Sequence, residues 1–289
     1  MIKSALRKIV VLIYSLYGYF IKWGYDLGLR HIPALGEKKN VNVVVSLTSY
    51  GRRIRSGVVC YTIYSLLCQT IQPKRILLWI SENDWNDNNL PTPLKVLQAK
   101  GVEIRYTKDI CSYTKLLPTL VQYPEETVIT VDDDIIYPSR LIEELWHVHE
   151  THPKEILATD VLAPTDLSLP YRQWPQAQKG TSAKKYFALG VGAVLYPPHS
   201  LQTEMMDYKT ALLYAPKADD VWFWGASIVA GTPKRKINWE FHTVSYDAIY
   251  QYFHQGSALQ HSNVKGHEIT NDTQIAATWM FIKEKYGVS

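Results

Sequence analysis

Cysteine is scarce: Cys60, Cys68 and Cys111 are the only three in 289 residues, an odd number without C-x-x-C spacing. That excludes both a disulfide framework and a cysteine zinc site, and it fits a reducing compartment. Glycine and proline, 15 of each, are spread along the chain instead of clustered, so collagen-like and low-complexity classes fall away. The N-terminal apolar run, Ile9 to Ile21, has 13 residues, short of the roughly 20 that a membrane-spanning helix needs. No small-x-small cleavage site follows it, which argues against a signal peptide. Charge of one sign is also missing from the body, where residues 41–289 carry 24 basic and 25 acidic side chains. A surface so balanced has no basic footprint for nucleic acid, which is excluded as a partner.

Hydrophobic residues make up 46% of the chain and charged residues 20%, enough to bury a core of single-domain size. Aromatic residues reach 12%, including 9 Trp and 20 Tyr, rings suited to sugar faces or lipid headgroups. The basic excess sits in residues 1–40, with seven Lys and Arg against Asp26 and Glu37. Lys3, Arg7 and Lys8 precede the apolar run, and Ile9, Leu12, Ile13, Leu16, Phe20 and Trp23 share one helical stripe. This pattern predicts a peripheral membrane-surface helix within residues 1–38. A helix packed on the domain and a tilted span are the alternatives.

From Val41 onward short apolar runs alternate with helical stretches, which predicts an α/β domain over 39–289 with a mostly parallel, mixed sheet flanked by helices. Strands are expected for Val41–Thr48, Arg75–Ser81, Val102–Tyr106, Thr127–Val131 and Lys185–Tyr196, and near Lys234–Trp239. Helices are expected for Val58–Gln69, after Pro138, behind Ala218 and from Asn271. The run TVITV ends in Asp132, Asp133 and Asp134, at the strand end where open α/β sheets bind ligands. If the backbone stays extended, Asp132 and Asp134 face one way and Asp133 the other. Two such carboxylates suit a shared Mg²⁺ or Mn²⁺, and a solvated turn is the plainer alternative.

The segments VVVSLTSYGRRI, SYTKLLPTL, ITVDDDIIYP, ADDVWFWGA and NDTQ, in that order, resemble bacterial nucleotide-sugar glycosyltransferases of the GT-A type. They are more distantly similar to exostosin-type N-acetylhexosaminyltransferases. The resemblance spans about residues 41–280 and implies a GT-A-like, Rossmann-like fold. It also implies a nucleoside-diphosphate sugar donor, UDP-linked by the habit of the fold, and a divalent metal, Mn²⁺ or Mg²⁺. The implied donor set is Thr48, Tyr50, Arg53, Asp109, Lys115, Asp132 and Asp133, with Arg52 and Arg55 as further cations. Lys115 is expected to meet donor phosphate or to pair with Asp109. Asp134 and Asp132 would hold the metal, with His267 as a late ligand and His261 as its competitor.

Asp219 and Asp220 open an apolar helix, where acids are favoured by capping and by the helix dipole. One acid suffices for a cap. The resemblance therefore implies a task for the pair: Asp220, or else Asp219, takes the acceptor proton if the enzyme inverts, and the pair orients acceptor or sugar if it retains. Gly190 and Gly192 admit either an acceptor close to the backbone or a β-bulge. Trp174, Trp222 and Trp224 are read as core residues more than as sugar platforms. The leading expectation is a metal-dependent sugar transferase acting on a glycan or lipid-linked glycan in surface polysaccharide synthesis, at the cytoplasmic membrane face. A sugar nucleotidyltransferase and a non-catalytic membrane-associated glycan-binding module are the alternatives.

Overall fold

The computed structural model describes residue 13 and residues 16–238, 244–245 and 269–288. Residues 16–26 form helix α1. The body then runs β1 (Asn40–Thr48), α2 (Gly51–Arg55), α3 (Val58–Leu67), β2 (Gln72–Ser81), α4 (Thr92–Ala99), β3 (Glu103–Thr107), α5 (Leu117–Gln122) and β4 (Thr127–Val131). After β5 (Ile135–Ile136) and α6 (Leu141–Thr151) come five short strands: β6 (Ile156–Ala158), β7 (Val161–Leu162), β8 (Ser182–Ala183), β9 (Phe187–Ala188) and β10 (Ala193–Tyr196). The remaining elements are α7 (Tyr208–Tyr214), α8 (Asp219–Val229), β11 (Lys234–Lys236), β12 (Val244–Ser245) and α9 (Asn271–Tyr286).

Eight strands form one mixed sheet in the order β3-β2-β1-β4-β10-β6-β11-β8. The first four are parallel, β10 runs antiparallel between β4 and β6, and β11 is again parallel to β6. Strands buried on both faces read as continuous apolar runs, and VVVSL in β1 and TVITV in β4 are buried throughout. Their side chains sort by period two into two cores. Val43, Val45, Leu47, Ile129 and Val131 join one face with α3, α4 and α6, whereas Val44 and Val128 join the other with α5, α8 and α9.

The expected strand over Lys185–Tyr196 is two strands. β9 pairs with β7 in a small separate sheet while β10 enters the main one. Between them Gly192 takes a φ of +87°, a left-handed conformation that glycine adopts without penalty and that ends the extended run. On the opposite side of α8, a Cβ at Gly225 would lie 2.6 Å from Thr278 Cγ2. Only glycine lets α9 approach α8 so closely.

Candidate functional site

The chain steps outward from β1 through β2 to β3 and then returns across the sheet to β4. Reversing direction while keeping one crossover hand requires helices on opposite faces: α3 and α4 pack in one core, α5 in the other. β1 and β4 are neighbours, Ser46 opposite Thr130, so the strand order reverses between them and a crevice opens at their carboxyl ends. Thr48, Tyr50 and the acidic triplet all fall there.

β4 stops at Val131, and the triplet forms a turn. The extended backbone therefore ends before the triplet, and the acids are not divided as predicted. Asp133 and Asp134 instead share one partner, since the Arg53 guanidinium forks onto Asp133 Oδ1 and, at 2.8 Å, onto Asp134 Oδ2. Asp132 turns toward Lys115, whose Nζ lies 3.5 Å from its Oδ1. The turn is pinned by Tyr137. Its hydroxyl accepts from the Asp132 N–H at 2.8 Å and donates to the Gly192 carbonyl at 2.6 Å, tying β10 to the triplet. The sequence reading passed over Tyr137; an aromatic three residues beyond the triplet was the available signal.

Lys115 is buried and reaches a second acid, Asp219 Oδ2, at 3.6 Å. Burial opposes its charge, yet Asp219 and Asp132 outweigh burial and hold the ammonium above its ordinary range. The expected partner Asp109 is exposed and takes the Cys111 N–H at 2.8 Å instead. A three-residue span of side chains, Asp132, Lys115 and Asp219, thus links the end of β4 to the start of α8.

Neither acid of the pair caps α8. Its N-cap is Ala218, without a side-chain hydrogen bond, and Asp220 Oδ1 accepts the adjacent Val221 N–H at 2.9 Å. Burial first, then the charge of Asp219, pushes Asp220 up to about 7, with Lys115 opposing. Burial likewise pushes Asp133 up to about 6 against the pull of Arg53. A Cβ at Gly190 would lie 3.5 Å from Lys115 Nζ and 3.6 Å from Asp220 Cβ, so a bare backbone forms that wall of the site.

Thr48 is engaged with the Trp79 carbonyl at 3.0 Å, and the exposed Tyr50 ring lies 5.6 Å from the Arg53 guanidinium. Trp174, Trp222 and Trp224 are core side chains, their indole N–H groups donating to the carbonyls of Leu169, Met205 and Lys185. Asp272 accepts the Tyr171 N–H at 2.6 Å. His261 and His267 lie outside the described residues. Among the described residues no three His, Cys, Asp or Glu gather to hold a metal ion.

Lys234 was not singled out by sequence, where it is one of several cations in a basic strand. It is 1% exposed and donates to the Lys184 carbonyl and, at 2.9 Å, to Ser227 Oγ. With Ser227 and Asp220 it lines a cavity of about 10 Å³, near the minimum for one water. Burial pulls the ammonium down to about 7 from 10.5. Between these values the unfolded chain binds a proton that the folded chain does not, so stability rises with pH. A gain of about 2 kcal/mol between pH 7 and pH 9 is expected from this group. Urea midpoints measured across that range check it: Lys234→Met should lack this increment.

No protein-family model and no curated protein sequence matches this chain. Among solved structures, a CMP:2-keto-3-deoxy-manno-octonic acid synthetase complexed with CTP aligns over 75% of this chain and 98% of its own, at 12% identity and a TM-score of 0.44. Residues 1–349 of S. aureus TarS in complex with UDP align over 86% and 73%, at 12% identity and 0.44. An apo UDP-glucose pyrophosphorylase aligns over 86% and 99%, at 8% identity and 0.39. Likeness at this level assigns no residue and no activity.

Proposed function

We propose that this chain is a glycosyltransferase that moves a sugar from a nucleoside-diphosphate donor, with UDP as its nucleotide, to a hydroxyl of a glycan or lipid-linked glycan in bacterial surface polysaccharide synthesis. One observation carries the reading. Two groups of carboxylates, Asp132–Asp134 and Asp219–Asp220, meet across the single ammonium of Lys115 at the crevice where the strand order reverses. A transfer between two substrates needs a donor side and an acceptor side within reach of one another.

The donor side is cationic as well as acidic. Arg53 and Lys115 supply positive charge for the departing diphosphate, and guanidinium forks match phosphate oxygens. Asp133 is buried beside Arg53, and a carboxylate so placed suits a sugar hydroxyl that donates to it. The described carboxylates do not form a closed cation cage; Asp132, beside Lys115, and Asp134, on Arg53, are the two that would hold a divalent ion. Mn²⁺ or Mg²⁺ held by Asp132 and Asp134 would supply Lewis-acid stabilisation of the leaving group.

On the acceptor side, Asp220 takes the proton of the attacking hydroxyl as its oxygen bonds to the anomeric carbon and the bond to phosphate breaks. A single displacement of this kind inverts the anomeric centre. Release of nucleoside diphosphate from a panel of nucleotide sugars, with Mn²⁺ and then with EDTA, tests the class. Metal-dependent release from one donor, abolished in Asp134→Ala, is expected. Pyrophosphate release from a nucleoside triphosphate and a sugar phosphate would move the assignment to a nucleotidyltransferase. Absence of both turnover and calorimetric nucleotide binding would leave a non-catalytic module.

A further inference from the structure

Helix α1 has two apolar faces, and among the described residues only one of them is covered. Ile21 and Tyr25, 5% and 8% exposed, pack with Ile136 against Val58, Tyr61 and Tyr64 of α3, and Tyr25 meets the Tyr64 ring at 5.4 Å. Tyr61 also donates to Asp26 at 2.5 Å, and Asp26 holds Lys22 at 2.7 Å. The helix is therefore seated on the body, directly behind the strand that follows the acidic triplet. The expectation of a helix packed on the domain describes this face.

The opposite face carries Leu16, Phe20, Trp23 and Leu27, spaced four, three and four residues apart and hence one stripe. Phe20 is 68% exposed and Trp23 62%. Tyr17 and Tyr19 are exposed on its two flanks, and the exposed Leu29 extends it. Leu16, Tyr19, Phe20 and Trp23 border a shallow hollow together with Lys22. A helix apolar on both sides requires cover on both, and an exposed apolar patch of this kind marks an interaction surface.

We propose that this face of α1 lies in the surface of an anionic lipid bilayer and seats the domain there. Three features of the chain select lipid as the occupant. The rim is of the interfacial type, Trp and Tyr beside Leu and Phe. The charge is complementary, because residues 1–40 are net basic, with seven cations against two acids, while the remainder is near neutrality. Among the described residues no helix is long and apolar enough to cross a membrane, and α1 is held against the body by Ile21 and Tyr25, so its other face is the one a bilayer surface meets. The inference stands on these residues alone and does not rest on the transferase reading.

Co-sedimentation of the full chain with vesicles of phosphatidylcholine, with and without about 30% phosphatidylglycerol, tests it. Binding to the anionic vesicles that weakens with salt is expected. The double variant Phe20→Ser, Trp23→Ser should lose more than tenfold in partitioning, since each removes a large apolar side chain from the contact. Leu213→Ser, which alters a residue equally exposed on α7, should leave it unchanged. Donor hydrolysis by the soluble variants, measured in parallel, separates a failure of docking from a failure of the catalytic reading. No vesicle binding by the parent chain, or equal loss in Leu213→Ser, overturns the proposal. So does a dimer in solution that the double variant converts to monomer, which would make a second copy the occupant.

Discussion

Replacing Asp220 by Asn is expected to lower acceptor-dependent turnover by a factor of about 10²–10⁴, the usual contribution of a positioned general base, while leaving donor affinity near its original value. The isosteric amide keeps the oxygen that accepts the Val221 N–H, so the fold at the head of α8 is retained. The pH profile supplies the second readout. Only the carboxylate accepts a proton, so activity rises through the value near 7 to which burial and Asp219 push Asp220. Removing the neighbouring negative charge in Asp219→Asn should move that rising limb to lower pH. Lys115→Met should move it higher, because the ammonium is what opposes the shift. A limb indifferent to both substitutions would falsify the assignment of the base.

Lys115→Met is expected to destabilise the protein by about 3–5 kcal/mol, the loss that follows when one member of a buried charge set is removed and the others stay charged. Asp132 is already held above its ordinary value by burial, against the pull of Lys115. Without the ammonium it rises further, so the folded variant favours the protonated acid. The loss is then largest where Asp132 is charged and shrinks on acidification through its folded value. Urea unfolding at pH 5 and pH 8 should separate the two, with the greater deficit at pH 8. An equal deficit at both would make Lys115 a packing residue, held for its methylene stem.

The architecture was legible wherever burial forces a pattern. Continuous apolar runs at Val43–Leu47 and Thr127–Val131 announce strands covered on both faces, and the acids after Val131 announce the ligand end. What escaped depends on three-dimensional meetings between distant segments. Lys115 precedes Asp219 by 104 residues, and no periodicity connects them. Arg53 stands in the implied donor set, but nothing in the spacing of the sequence shows that the turn at Asp133–Asp134 comes to meet it. The break inside Lys185–Tyr196 was visible only as two glycines, whose meaning depends on a backbone angle at Gly192. α1 shows the opposite difficulty: Leu16, Phe20 and Trp23 do share a stripe, Ile9 and Leu12 lie outside the described residues, and the sequence does not say which of two apolar faces meets protein.

The order of strands also bears on how the molecule is assembled during synthesis. β1, β2, β3 and β4 all precede residue 132 in the chain. Every element that brings Lys115 beside Asp132 therefore leaves the ribosome before α8 does. Asp219 and Asp220 arrive much later, and α9, closed onto α8 at Gly225, arrives last. The half that holds Arg53, Lys115 and the acidic triplet is thus a nascent platform, and the half that holds Asp219 and Asp220 is the part that completes it. A chain interrupted before α9 would keep the first and lose the support that α9 gives α8 at Gly225, which makes the far C-terminal helix the checkpoint of a finished fold.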